Sequence, residues 1–159
     1  MAAPSIFTEQ ELAFLRELVR QGVAFMVVGL SAAALQGAPA VTQDIDLWFK
    51  DLADPKLKKA LDRVGGLYVP PTGATPPMLA GRSVALFDIV LTMDGLKDFD
   101  EELSTSVEIP IGRTTVRVLS LERIIISKRT ANREKDRLIL PVLEAAAAVH
   151  RDARRSRGR

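Results

Sequence analysis

Two short apolar runs with small or acidic residues at their ends constrain this chain more than any other feature. The first run ends at Gly29 and Ser31. The second begins with Asp44 and Asp46. Alternate residues of a β-strand point to the same face and lie about 6–7 Å apart. The spacing of the two aspartates therefore predicts two carboxylates side by side on one face of a sheet.

A third carboxylate, Asp88, interrupts the apolar run at residues 84–91. A buried carboxylate is costly without a partner, and neighbouring carboxylates repel unless a cation lies between them. If this strand lies beside the one that carries Asp44 and Asp46, three carboxylates converge, and oxygen ligands of this kind can hold two Mg²⁺ ions, or Mn²⁺, for phosphoryl or nucleotidyl transfer. The alternative is structural: one aspartate caps a turn, one pairs with a lysine and one lies at a strand edge.

Composition limits the other kinds of chemistry. The 159-residue chain is 47% hydrophobic, which suits one soluble domain. It has no cysteine, so disulfides, zinc thiolate sites and thiol nucleophiles are excluded, and its single His150 excludes a histidine-rich metal site. The longest apolar stretch, residues 23–35, is too short to cross a membrane, and the first residues do not resemble a signal peptide. We expect a cytoplasmic protein without a membrane partner.

The positive charge is concentrated at one end. The net charge is +2, but residues 150–159 contain five arginines against one aspartate, so residues 1–149 carry −2. We predict a single domain over residues 1–149 and a basic tail over residues 150–159. We favour a disordered, solubilising tail, and RNA binding is the alternative.

Apolar spacing, capping residues and glycines predict the order α-β-α-β-α-β-α-β-β-α-α. Helices are expected after Thr8, Ser31, Asp54, Ser120 and Asn132, the last ending near residue 149, with a further short helix near residues 99–103. Strands are expected at 24–28, 44–49, 83–91, 107–111 and 115–119, and a loop at 67–82. The fold class is α/β (α+β), a small mixed β-sheet with helices packed mainly on one face. Neither a dinucleotide-binding glycine motif nor a P-loop is present.

The Gly29-x-Ser31 and Asp44-x-Asp46 motifs, followed by the lone Asp88, resemble the DNA polymerase β-like nucleotidyltransferase superfamily. The resemblance implies that the glycine–serine turn binds NTP phosphates at a helix N-terminus. It also implies that the aspartates bind metal, with Asp88 binding metal or activating the acceptor hydroxyl. Free N–H groups at a helix start and Mg²⁺ held by carboxylates both suit a triphosphate.

Within that superfamily the chain is most similar to the small bacterial nucleotidyltransferases of toxin–antitoxin and abortive-infection systems. The segment 42–47 matches their T-x-D-I-D core, and Lys128, Lys135 and Asp136 match their C-terminal helical motif. The resemblance implies that Lys128 contacts the phosphates and that Lys135 and Asp136 line or brace the site. A solvated basic face is the alternative for these residues.

The function that follows is metal-dependent transfer of an NMP group from an NTP to a tRNA, protein or small-molecule acceptor, with a cognate toxin or antitoxin as a further partner. A catalytically inactive module that binds nucleotide or protein is the alternative. Leu30 and Ala40 favour the module, because they stand where the superfamily often has a small residue and an arginine.

Overall fold

The computed structural model describes residues 7–158. Six α-helices are present in this range: α1 (Glu9–Gln21), α2 (Gly29–Leu35), α3 (Pro55–Val64), α4 (Phe99–Ser104), α5 (Leu121–Ala131) and α6 (Glu134–Arg157). Seven strands accompany them: β1 (Phe25–Val28), β2 (Ile45–Phe49), β3 (Leu67–Val69), β4 (Met78–Ala80), β5 (Phe87–Val90), β6 (Val107–Ile111) and β7 (Thr114–Val118). No helix in this range is long and apolar enough to cross a membrane.

The main sheet is mixed and has the strand order β5-β2-β1-β7-β6. The central strand β1 runs antiparallel to β2 and parallel to β7, while β2 runs parallel to β5. All four side chains of β1 are buried, so this strand is covered on both faces. The predicted fold class, a small mixed sheet with helices, is confirmed.

The two faces of the sheet have different neighbours. On one face, Phe14 of α1 packs edge-on against Phe87 of β5, with ring centroids 5.0 Å apart. On the other face, Trp48 of β2 packs edge-on against Phe99 of α4 at 5.6 Å. Burial of each such side chain contributes about 1.5–3 kcal/mol. Asp46 lies two residues before Trp48 and therefore shares its face.

Most helix ends agree with their sequence signals. Thr8 caps α1 and forms a reciprocal capping box with Glu11, and Gly22 ends that helix in the left-handed conformation. The prediction for Asn132 is wrong: this residue does not begin α6 but ends α5, with φ 52°. Asparagine tolerates this conformation better than most side chains, which explains its place between the two helices. Arg133 then precedes α6.

The predicted disordered tail is wrong for residues 150–157, because α6 continues without a break from Glu134 to Arg157. Arginine is a good helix former, and cations are favourable at a helix C-terminus. An ion pair of 3.1 Å between Arg154 and Glu122 also holds the last turns beside α5. The boundary between a domain and a tail at residue 149 stays a prediction.

The predicted loop at residues 67–82 contains a two-stranded hairpin, formed by β3 and β4. A 3-10 turn at Arg82–Val84 follows, so the next strand is shorter than the predicted 83–91. Gly81 has φ 118°, and a Cβ there would lie 3.0 Å from the carbonyl oxygen of Gly65. The hairpin therefore closes on the end of α3 through a contact that only glycine permits.

Candidate active site

Asp46 and Asp88 are direct neighbours across two strands. They are register partners in the parallel pair of β2 and β5, so their side chains leave the same face of the sheet. Asp44 immediately precedes β2 and is exposed, as is Asp88, while Asp46 is partly buried. The structure thus brings two predicted carboxylates to one face and places the third next to them.

The charges predicted from sequence act on one another in the structure. Burial and then the Asp88 and Asp44 carboxylates raise the pKa of Asp46 to about 6, against the lowering effect of Lys128 and Lys135. Loss of hydration and then the Asp44 charge also raise the pKa of Asp88. Asp46 therefore lies at the centre of a group of acids and lysines that come from four separate segments of the chain.

Ser31 fixes the backbone beneath Asp46. The prediction that Ser31 caps α2 is wrong, because Val28 occupies the capping position and has no side chain able to cap. The buried Ser31 hydroxyl donates to the Val28 carbonyl oxygen at 2.9 Å and accepts from the Asp46 N–H at 3.3 Å. It thereby ties the end of β1 to β2 beside the acids. A contact between Ser31 and the nucleotide stays a prediction.

Gly29 allows the Asp46 carboxylate to lie against the start of α2. Its φ is +66°, and a Cβ at this position would lie only 2.3 Å from Asp46 Oδ2. Both the conformation and the space exclude a side chain. The sequence predicted a glycine here so that a phosphate can approach the backbone closely. The structure gives a second reason for the glycine, because the Asp46 carboxylate also lies against this backbone.

Asp136 connects α5 to the start of α6 from a buried position. Its side chain is only 1% exposed, and its Oδ1 lies 3.3 Å from Lys128 Nζ. Its Oδ2 accepts from the backbone N–H and Nε of Arg133, at 3.1 and 2.9 Å. Burial favours a higher pKa for Asp136, but the Arg133 hydrogen bonds and the Lys128 charge outweigh it and lower the pKa. Asp136 thus braces Lys128, while Lys135 is exposed.

Sequence reasoning missed the segment after β5. Gly95 lies so close to α5 that a Cβ would be 2.2 Å from Thr130 Oγ1. The Asp94 charge contributes to raising the pKa of Arg133, after the larger effects of Asp136. The Asp94-Gly95 dipeptide is a common turn signal and could have marked this loop, although nothing local indicates which helix the turn packs on.

The residues present suit Mg²⁺ in donor type and charge. Carboxylate oxygens are its usual protein ligands, and the mutual repulsion of Asp44, Asp46 and Asp88 is what a cation would relieve. Among the described residues, however, no three acidic or histidine side chains already converge as a complete metal site. Additional ligands, such as phosphate oxygens and water, would have to complete the coordination.

We expect Asp136→Asn to lower the free energy of unfolding by about 2–4 kcal/mol, because it leaves the mostly buried Lys128 without its counter-charge. The loss should be largest at neutral pH. A lowered pKa gives stability that is present above the unfolded value, near 3.8, and is lost as the pH falls below it. Urea unfolding at pH 7 and pH 3 measures both effects.

The matched control is Asp62→Asn, which removes an exposed carboxylate paired with Lys58 at 3.0 Å. Such exposed pairs contribute about 0–1 kcal/mol, so this variant should unfold nearly as the wild type does. Equal effects of the two substitutions would contradict a bracing role for Asp136.

Comparison with known structures bears on the fold. The chain has the nucleotidyltransferase fold. It is similar to ANT(2'')-Ia in a crystal structure with adenylyl-2''-tobramycin, with a TM-score of 0.58 and 19% identity over 93% of this chain and 96% of that one. A solution structure of ANT(2'')-Ia, described as an antibiotic-resistance factor, gives a TM-score of 0.59 and 18% identity over 93% and 90% of the two chains. No protein-family model and no curated protein matches the sequence.

Proposed function

We propose that this protein transfers an NMP group from an NTP to a hydroxyl group of a small-molecule acceptor. The observation that carries the proposal is the pair of carboxylates on one sheet face, Asp46 and Asp88, with Asp44 immediately before the strand and Lys128 and Lys135 close enough to act on Asp46. Acids beside lysines suit a site that must hold both cations and phosphates.

Asp44, Asp46 and Asp88 would hold two Mg²⁺ ions, or Mn²⁺. A metal ion bound there would neutralise the negative charge on the phosphate oxygens. Asp88 lies on the edge strand β5 and is exposed, so an acceptor can reach it from solvent. Its raised pKa suits a group that accepts the proton of the acceptor hydroxyl. The acceptor oxygen then bonds to the α-phosphorus, and pyrophosphate leaves with the electrons of the broken bond.

The nucleotide would be held mainly by the lysines. Lys128 is fixed by Asp136 and its charge acts on Asp46, whereas Lys135 is exposed and free to follow the phosphates. The backbone at Gly29 and the adjoining Ser31 are proposed to approach the phosphates, as the superfamily resemblance implies. Ala40 supplies no charge, so the lysines must provide most of the electrostatic attraction for the triphosphate.

The small-molecule acceptor is favoured by the structural neighbour, whose crystal structure contains adenylylated tobramycin. A tRNA or protein acceptor, and with it a place in a toxin–antitoxin pair, is the alternative that labelling can distinguish. The inactive binding module is the other candidate, and Leu30 and Ala40 are the residues that favour it.

The test is to incubate the protein with each α-³²P-labelled NTP in Mg²⁺ or Mn²⁺. Three sources of acceptor are added one at a time: a panel of aminoglycosides, bulk tRNA, and a desalted lysate with its metabolites added back. Label in a small molecule, lost with chelator and in Asp46→Asn, is the expected result. Label in tRNA or protein would replace the acceptor class but keep the reaction. No transfer from any NTP, together with NTP binding by calorimetry, would establish the binding module instead.

A further inference from the structure

The outer face of α6 carries a row of apolar side chains, of which three are exposed and one, Val142, is half-buried. We define the outer stripe as Leu138, Val142, Ala145 and Val149. Leu138 is 74% exposed and Val149 is 66% exposed. With 3.6 residues per turn these four positions lie within an arc of roughly 60°. The residues of α6 that pack on the protein, such as Leu143 and Ala147, lie on the opposite side.

A groove of about 640 Å³ runs along the same helix. Val142, Ala145 and Val149 of the outer stripe line it, and Gly37 and Pro39 form its other wall. Large apolar areas on a protein surface are typical of interaction sites. The spacing of the stripe, four, three and four residues, is the spacing at which two helices interlock along a shallow crossing angle.

Exposed charges beside the stripe indicate which partner fits. Glu134 and Arg137 lie on one flank near the start of α6, and Asp152 and Arg155 lie on the same flank near its end. Within the described part of the chain, Glu134, Asp152 and Arg155 form no ion pair, and Arg137 donates only to Asn132. Read along the helix, the flank therefore has the order acid, base, acid, base.

We propose that a second copy of this chain docks on the outer stripe, with the two α6 helices antiparallel about a two-fold axis beside Ala145. In an antiparallel pair the same flank of each helix faces its copy. Glu134 then faces Arg155 of the partner subunit, and Arg137 faces Asp152 of the partner subunit. Symmetry repeats both pairs, so four complementary contacts border one apolar seam. A parallel arrangement would instead bring opposite flanks together and leave these four charges without their complementary partners. The inference does not depend on the proposed function.

The test is the molar mass of the full chain by analytical ultracentrifugation, from low to roughly 100 µM, where a micromolar dimer is mostly associated. We expect the wild type to dimerise and Ala145→Glu to be monomeric, because that substitution sets two carboxylates against each other at the axis. The matched control is Ala74→Glu, at an exposed position of the β3–β4 hairpin, which should remain dimeric. Circular dichroism confirms that both variants fold.

Charge reversal tests the antiparallel register without changing the apolar seam. Glu134→Arg alone and Arg155→Glu alone should each weaken dimerisation by about tenfold, and the double variant should restore it. Either of two results overturns the proposal: a wild type that is monomeric throughout the range, or a dimer that Ala145→Glu leaves intact. Failure of the double variant to recover overturns the antiparallel arrangement. Nucleotidyl transfer is not measured here, so neither result bears on the proposed function.

Discussion

Asp46→Asn should reduce transfer of the NMP group by at least roughly a thousandfold, while leaving the fold intact. The substitution keeps the shape of the side chain but removes the negative charge that is paired in register with Asp88 and on which both lysines act. Electrostatic stabilisation is commonly the largest single catalytic effect, and removing one participant costs on the order of 10²–10³-fold or more. The measurement is the rate of label transfer from NTP to the acceptor identified above, with Mg²⁺ present.

The stability of the same variant provides its control. Asp46 has a raised pKa, so the stability it contributes is present below the unfolded value of 3.8 and is lost as the pH rises through about 6. In metal-free buffer at pH 8, Asp46→Asn should therefore be more stable than the wild type by on the order of 1–2 kcal/mol, discounted for partial exposure. The difference should vanish below about pH 4. A variant that is less stable at pH 8 would show that Asp46 mainly supports the fold.

Gly29→Ala should lower the rate of transfer by about a hundredfold, because the new methyl group would occupy the space of Asp46 Oδ2, 2.3 Å away. Displacement of a catalytic group by about 1 Å can cost this much. The positive φ of Gly29 adds a backbone strain of about 1–2 kcal/mol. Steady-state kinetics and urea unfolding of the same preparation separate the two losses.

Gly112→Ala is the matched control, because Gly112 also has a positive φ, 61°, but no atom lies within 4 Å of the position of its Cβ. It should lose a similar amount of stability and keep its activity. If Gly29→Ala retains activity after its stability loss is taken into account, close packing of Gly29 on Asp46 is not required for the reaction.

Local signals predicted the parts of the fold whose partners are close in sequence. The Thr8 cap with Glu11 and the Asp54 cap before Pro55 depend on neighbours within one helical turn, and both are present. The sequence indicated that Ser31 was a helix cap of the same kind. In the structure its hydroxyl instead bonds to the Val28 carbonyl oxygen and to the Asp46 N–H on another strand. That partner is invisible to a pattern that considers one turn at a time.

The tail was misjudged for a related reason. Arginine-rich ends often remain solvated, and composition alone favoured that outcome at residues 150–157. The contact between Arg154 and Glu122 joins segments far apart in the chain, and only the packing of α6 along α5 creates it. The same packing leaves most of the outer stripe exposed. The sequence could not predict this, because an exposed apolar stripe and a buried helix face have the same spacing of apolar residues.

The sequence by itself determined that Asp46 lies on the same strand face as Trp48, because alternation is a property of the extended backbone, whereas Asp44, which was expected to open that strand, lies in a bend just before it. Only the tertiary structure decided that Asp88 lies beside Asp46, since that requires β2 and β5 to pair in parallel and in one particular register. A shift of one residue would turn Asp88 to the opposite face. Likewise, the buried Asp136 holds Lys128, whose charge acts on Asp46, and that contact exists only once α5 and α6 have packed together.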